Sequence, residues 1–269
     1  MSYQAIPDIQ PESKFDRLVK LHELKPPIPQ QLRDVLTKCK VVLLCDDSHS
    51  MNLFVTEEGA NAFTPKKTTR WTELMKLASV VIEFVTAVND NGLDIHFLNR
   101  KSVYNVVDMT GLQQVFSKGP SGSTPLIGSL QRIHNEYKYN LGEKQLLIVV
   151  VTDGEPTDGN RDNLYWTLSN ITAGGNVHIS FAECTDNEED MEYLDAWDGR
   201  IRNFDNTDDY REELRRVKQT KGQSFKFTYE DYVIKILLAT FIPYYYNLDQ
   251  GARLSGISNP DDCCCCNIV

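Results

Sequence analysis

Three separated stretches of the chain carry side chains able to hold a metal ion. In "CDDSHS", Asp46, Ser48 and Ser50 stand at i, i+2 and i+4, which in extended backbone places all three side chains on one side. A flat strand would separate alternate Cα atoms by about 6.6 Å, whereas trans ligands on magnesium lie only about 4.2 Å apart. The chain must therefore curl after Cys45 if these groups share an ion. The glycine-rich "GPSGSTPL" offers Thr124 just before Pro125, and "VTDGEP" offers Asp153 at the end of an apolar run. Two carboxylates and three hydroxyls are hard oxygen donors, suited to Mg²⁺ or Mn²⁺ and poorly suited to zinc. Taken singly, each segment reads equally as a polar strand end or helix cap. Taken together, they favour the ion.

Such a site needs a scaffold that brings three distant segments to one edge. "CKVVLLCD" reads as a buried strand, and "RWTELMKLASVVIEFVTAV" places Leu74, Leu77, Ala78, Val81, Ile82, Val85 and Val88 at a helical period. "LDIHFLN" is a second strand, "SVYNVV" an edge strand, "GLQQVFSKG" a short helix, and "TPLIGSLQRIHNEYKY" a helix with Pro125 in its first turn. "KQLLIVVVTDG" is the most apolar strand and must be central. Helix "RDNLYWTLSNIT", strand "NVHISFAEC", helix "NEEDMEYLDAW", a short strand in "RNFDNTDDY" and helices "YREELRRVKQT" and "YEDYVIKILLATFI" follow. This alternation predicts a doubly wound α/β domain, a mainly parallel central sheet with helices on both faces, whose ligands bind outside the carboxyl ends of the strands. Both "CDDSHS" and "VTDGEP" belong to that edge.

The ordered set D-x-S-x-S, a lone Thr in a Gly-rich loop, then T-D-G after a hydrophobic strand resembles the von Willebrand factor A domain with its metal-ion-dependent adhesion site, over about residues 39 to 243. The resemblance implies that Ser48, Ser50 and Thr124 bind the ion through their hydroxyls, with Asp46 and Asp153 binding it directly or through water. It also implies that a carboxylate from a binding partner completes the octahedron. A site rich in neutral hydroxyls leaves the dication incompletely neutralised, so an acidic ligand gains strongly. One position departs from the family pattern: His49 stands where glycine is usual between the two serines. We expect it to be a solvent-facing loop residue, with gating of the ligand entrance as the alternative. Asp47 is expected to be structural or exposed rather than a ligand, His96 a strand histidine satisfied in the core or at an edge, and "TDNEED" a solvated loop and helix start.

The chain has 269 residues and a formal charge of −10, without a dense Lys/Arg run, which argues against a nucleic-acid partner. We divide it into an N-terminal extension with short helices over residues 1–38, the domain over 39–245 and a flexible Cys-rich tail over 246–269. The start of the sequence lacks the basic and apolar regions of a secretory signal, and no apolar run reaches the roughly 18 residues that span a bilayer. A cytoplasmic location is expected, with Cys39, Cys45 and Cys184 as core thiols. At the other end, Cys266 followed by Asn267, Ile268 and Val269 resembles a C-a-a-X prenylation signal, with a non-ideal Asn267. Cys263, Cys264 and Cys265 are candidates for palmitoylation, which would supply the second chain that stable anchoring needs. The expectation is a cation-dependent protein-interaction module tethered to a membrane, with no catalytic residues. A scaffold that binds partners on a helical face is the first alternative. A magnesium-dependent phosphohydrolase of the haloacid-dehalogenase kind is disfavoured, because that chemistry wants D-x-D after the first strand and the third position here is Ser48.

Overall fold

The computed structural model describes residues 12–56, 67–186 and 188–250. Two short helices, α1 (Lys14–Leu21) and α2 (Ile28–Lys38), precede the sheet. Ser13 caps α1 by accepting the Asp16 N–H. The strands are β1 (Cys39–Cys45), β2 (Phe54–Thr56), β3 (Lys67–Thr69), β4 (Leu93–Phe97), β5 (Val103–Val106), β6 (Gln145–Thr152), β7 (Val177–Glu183) and β8 (Phe204–Thr207). Between and after them lie α3 (Arg70–Val88), α4 (Gln113–Phe116), α5 (Leu126–Tyr137), α6 (Arg161–Thr172), α7 (Glu188–Asp195), α8 (Tyr210–Lys221), α9 (Tyr229–Leu238) and α10 (Pro243–Tyr246).

Six strands form one sheet in the order β5-β4-β1-β6-β7-β8. All neighbours are parallel except the β4–β5 pair at the edge. β1 and β6 pair along all of β1, from Cys39 opposite Gln145 to Cys45 opposite Val151. Side-chain alternation then splits the core in two. Val41, Leu43 and Cys45 of β1 join Leu147, Val149 and Val151 of β6 on the face covered by α1, α2, α3 and α9. Val42 and Leu44 join Leu146, Ile148 and Val150 on the face covered by α5 and α6. Each such side chain is fully buried and contributes about 1.5–3 kcal/mol of transfer free energy. The doubly wound architecture expected from the alternating pattern is the one observed.

The strand order reverses around β1: β4 and β5 extend to one side, β6, β7 and β8 to the other. The crevice between β1 and β6 is therefore the switch point at which open α/β sheets bind ligands. Two details differ from the sequence reading. Pro125 caps α5 rather than lying in its first turn, because the helix starts at Leu126. The two-stranded antiparallel pair β2–β3 was not anticipated; each strand has only three residues, too few for a period to register.

Candidate functional site

Asp46 follows β1 and stays on the sheet, its N–H donating to the Val151 carbonyl at 2.9 Å. Its carboxylate then bends the chain. Oδ1 accepts the Ser48 N–H at 2.8 Å, an Asx-type turn, while Oδ2 accepts the Thr152 hydroxyl at 2.6 Å. A 3₁₀ turn, His49–Asn52, comes next. This curl carries Ser48 Oγ to 3.0 Å from Ser50 Oγ, and Ser50 Oγ donates to Asp153 Oδ1 at 2.8 Å. Thus the backbone does curl after Cys45 as shared ligation would require.

Asp153, directly beyond β6, is buried. Its second oxygen, Oδ2, accepts from Arg70 Nη1 at 2.8 Å, and Arg70 Nη2 donates to Thr185 Oγ1 at 2.7 Å. Arg70 is the first residue of α3, after the cap Thr69, whose side chain accepts the Thr72 N–H. The sequence reading missed Arg70. Its one signal was a charged residue opening a helix destined to pack on the sheet, where burial demands a partner.

The third segment is stitched to the first through the backbone. Ser121 N–H donates to the Asp47 carbonyl at 2.7 Å, and His49 N–H to the Gly122 carbonyl at 3.0 Å. Gly122 has φ +111°, and a Cβ there would stand 2.5 Å from Asn99 Oδ1, so the close approach requires glycine. Thr124 is buried at the end of this loop, its N–H donating to Thr157 Oγ1 at 2.9 Å and its carbonyl accepting the Thr157 N–H at 2.9 Å. All five expected residues therefore gather at one sheet edge. Ser48, Ser50 and Asp153 are linked side chain to side chain, Asp46 joins through the Ser48 backbone, and Thr124 arrives with the loop.

Asp47 is structural and buried, not exposed. Oδ1 accepts from the Asn99 backbone N–H at 2.8 Å, and Arg100 Nε lies 3.0 Å from Oδ2. His49 is exposed, as expected, and its backbone lies outside the left-handed region that would call for glycine. His96 is satisfied between Tyr137 and Ser102. In "TDNEED", Thr185 is buried against Arg70 rather than solvated; the side chains at 187–190 lie outside the described residues. Cys39, Cys45 and Cys184 are buried free thiols. Burial pushes the Asp46 carboxyl up to about 6 against hydrogen bonds from Ser48 and Thr152, and Asp153 adds to the rise. Asp47 is raised by burial, against the Asn99 hydrogen bonds and Arg100.

Ser48 Oγ, Ser50 Oγ and Asp153 Oδ1 form a chain of oxygens spaced 3.0 and 2.8 Å. Two ligands at right angles on an ion with bonds of about 2.1 Å are themselves about 3.0 Å apart. The oxygens thus already have the spacing of octahedron edges.

No family model matches the sequence, and no curated protein matches it. Among solved structures, the chain is similar to the SpRpn10 VWA domain at 12% identity, covering 64% of this chain and 87% of that one with a TM-score of 0.44. It is also similar to the manganese-loaded TRAP protein of Plasmodium vivax at 13% identity, covering 66% and 72% with a TM-score of 0.42. The reversing strand order, the antiparallel edge and the gathering of the three motif segments at the switch point are those of a doubly wound α/β sheet, the architecture that the sequence resemblance to von Willebrand factor A domains implies.

Proposed function

We propose that Asp46, Ser48, Ser50, Thr124 and Asp153 hold Mg²⁺ or Mn²⁺, and that the chain uses this ion to bind an acidic side chain of a partner protein. The observation that carries the reading is the 3.0 and 2.8 Å spacing of Ser48 Oγ, Ser50 Oγ and Asp153 Oδ1, which suits a hard octahedral cation. Asp153 would offer Oδ1, because Arg70 occupies Oδ2; Asp46, with both oxygens engaged by protein donors, would act through water. Two carboxylates against a dication and the Arg70 guanidinium leave net positive charge at the sheet edge, which favours a carboxylate ligand over a neutral one.

Calorimetric titration of Mg²⁺ and Mn²⁺ into the full chain tests the ion. Binding should be lost in the Asp46→Ala, Ser48→Ala variant; a folded wild type that binds neither ion overturns the reading. Partner capture repeated with chelator and with Asp153→Ala then separates metal-bridged binding, lost in both, from docking on a helical face, which survives both. We propose further that lipid chains on Cys263 to Cys266, outside the described residues, tether the protein to the cytoplasmic side of a membrane. Replacing the four cysteines by serine should move the protein from the membrane to the soluble fraction of cells, and unchanged membrane association would exclude the tether. Among the described residues no helix is long and apolar enough to cross a membrane.

A further inference from the structure

The loop that brings Thr124 to the sheet edge, residues 117–123 between α4 and α5, buries only the side chain of Pro120. Apolar packing therefore does little to place it, and hydrogen bonds from outside the loop hold it residue by residue. The Gly119 carbonyl accepts from Arg100 Nη2, and the Pro120 carbonyl from Asn52 Nδ2 at 2.9 Å. Ser121 N–H donates to the Asp47 carbonyl at 2.7 Å, and the Gly122 carbonyl accepts from His49 N–H at 3.0 Å. The Ser123 carbonyl, directly before Thr124, accepts from Asn99 Nδ2 at 2.8 Å.

The two side chains at the ends of this series, Arg100 and Asn99, follow β4 and are held by one carboxylate. Asp47 Oδ1 accepts from the Asn99 backbone N–H at 2.8 Å and from Asn99 Nδ2 at 3.2 Å, while Arg100 Nε lies 3.0 Å from Oδ2. Arg100 also donates Nη1 to the Val115 carbonyl at 2.8 Å, and its guanidinium lies 5.0 Å from the centre of the Trp71 ring. Asp47 is fully buried, and burying a charge is costly unless it is paired and hydrogen-bonded. Its pairing here reaches across to the Thr124 loop, through Asn99 and Arg100 by side chain and through Ser121 by backbone.

We propose that Asp47 is a positioning residue of the ion site: by holding Asn99 and Arg100 it sets the loop that presents Thr124, and so controls ion affinity without touching the ion. The inference rests on the ion site proposed above. Thr157 grips Thr124 from the far side, through both its hydroxyl and its N–H; the approach over residues 119–123 is left to the Asp47 clasp. Magnesium demands near-ideal octahedral geometry with bonds of about 2.1 Å, so a loop free to drift loses a ligand. Groups standing behind metal ligands commonly control affinity by about ten- to a hundredfold.

The test is a double-mutant cycle read by calorimetric titration of MnCl₂ into the full chain. Asn99→Ala is the main variant, because Asn99 is exposed, the replacement keeps the backbone bond to Asp47, and no charge changes. It should weaken Mn²⁺ by about tenfold, and Asp47→Asn, which loses the charge facing Arg100, by at least as much. Combined with Thr124→Ala, Asn99→Ala should cost less than about twofold further, since the group it positions is gone. Water-proton relaxation should report about one more water on the bound Mn²⁺ in Asn99→Ala, as in Thr124→Ala, because water takes the ligand position that Thr124 leaves. Loss of stability alone would not add that water. The proposal is overturned if Asn99→Ala leaves Mn²⁺ affinity unchanged, or if its cost is the same with and without Thr124. Should Asp47→Asn fail to fold, the Asn99 cycle decides. A folded wild type that binds no Mn²⁺ overturns the ion site itself; one that binds it indifferently to Asn99 overturns only the clasp.

Discussion

Arg70 and Asp153 show how one contact sets the character of a site. The guanidinium fixes Asp153 by Oδ2 and turns Oδ1 toward Ser50, and it supplies positive charge where a dication would also sit. Removing one partner of a buried ion pair costs about 3–5 kcal/mol, because the other is left uncompensated. Arg70→Met should therefore lower the melting temperature of metal-free protein, and Mg²⁺ should restore more stability to this variant than to the wild type, since the ion replaces the lost charge. Equal Mg²⁺ shifts in the two melting curves would show that Asp153 does not face the ion. His178 of β7 gives a second prediction at this scale. Its ring stacks on Phe241 at 3.8 Å, and burial, with Arg202 adding, pushes it down to about 4. Below its unfolded value of about 6.5 the unfolded chain binds a proton that the folded chain refuses, so stability falls with pH, by about 2 kcal/mol at pH 5. His178→Phe keeps the stacked ring and should lose less melting temperature than the wild type between pH 7 and pH 5.

Among the elements, α2 and β1 form a unit with no linker: the helix ends at Lys38 and the strand begins at Cys39. Leu32 and Leu36 of α2 are fully buried in the core over β1, together with Phe15 and Leu18 of α1. The sequence reading treated residues 1–38, with prolines at 7, 11, 26, 27 and 29, as an extension packing one or two short helices on a core that begins at residue 39. Their packing makes the helices part of one face of the core. Leu36→Ala should cost about 2–5 kcal/mol by urea denaturation. A chain beginning at residue 39 should melt at least 10 °C below the full chain or fail to fold; an unchanged melting curve would mean that the helices only rest on the surface. The long helix α3 was legible from its period, yet the identity of its first residue as the Asp153 partner was not, since periodicity reports a face and not a neighbour across the sheet.

For the molecule as a whole, the two apolar clusters lie on opposite faces of one sheet, one drawing residues from Phe15 to Leu248 and the other from Val42 to Phe204. The strands β1, β6 and β7 contribute side chains to both clusters, so neither face can open without exposing the other. Urea unfolding should accordingly show coincident transitions by far-UV circular dichroism and by tryptophan fluorescence. Separated midpoints would mean that the faces unfold independently. The switch point lies in the middle of the sheet edge, between β1 and β6.

By itself the sequence determined the alternating strands and helices, the two-faced burial of β1 and β6, and the collection of Asp46, Ser48, Ser50, Thr124 and Asp153 at one edge. Those are consequences of local periodicity and of the rule that parallel strands end on the same side. Tertiary structure alone decided what meets across that edge: Arg70 on Asp153, Arg100 on Asp47, and the convergence of Glu183 and Asp195 on the Asn206 amide. These residues stand between 11 and 83 positions from their partners, and residues from three elements form no spaced motif. Charge pairing of that kind depends on register between elements, which no local pattern encodes.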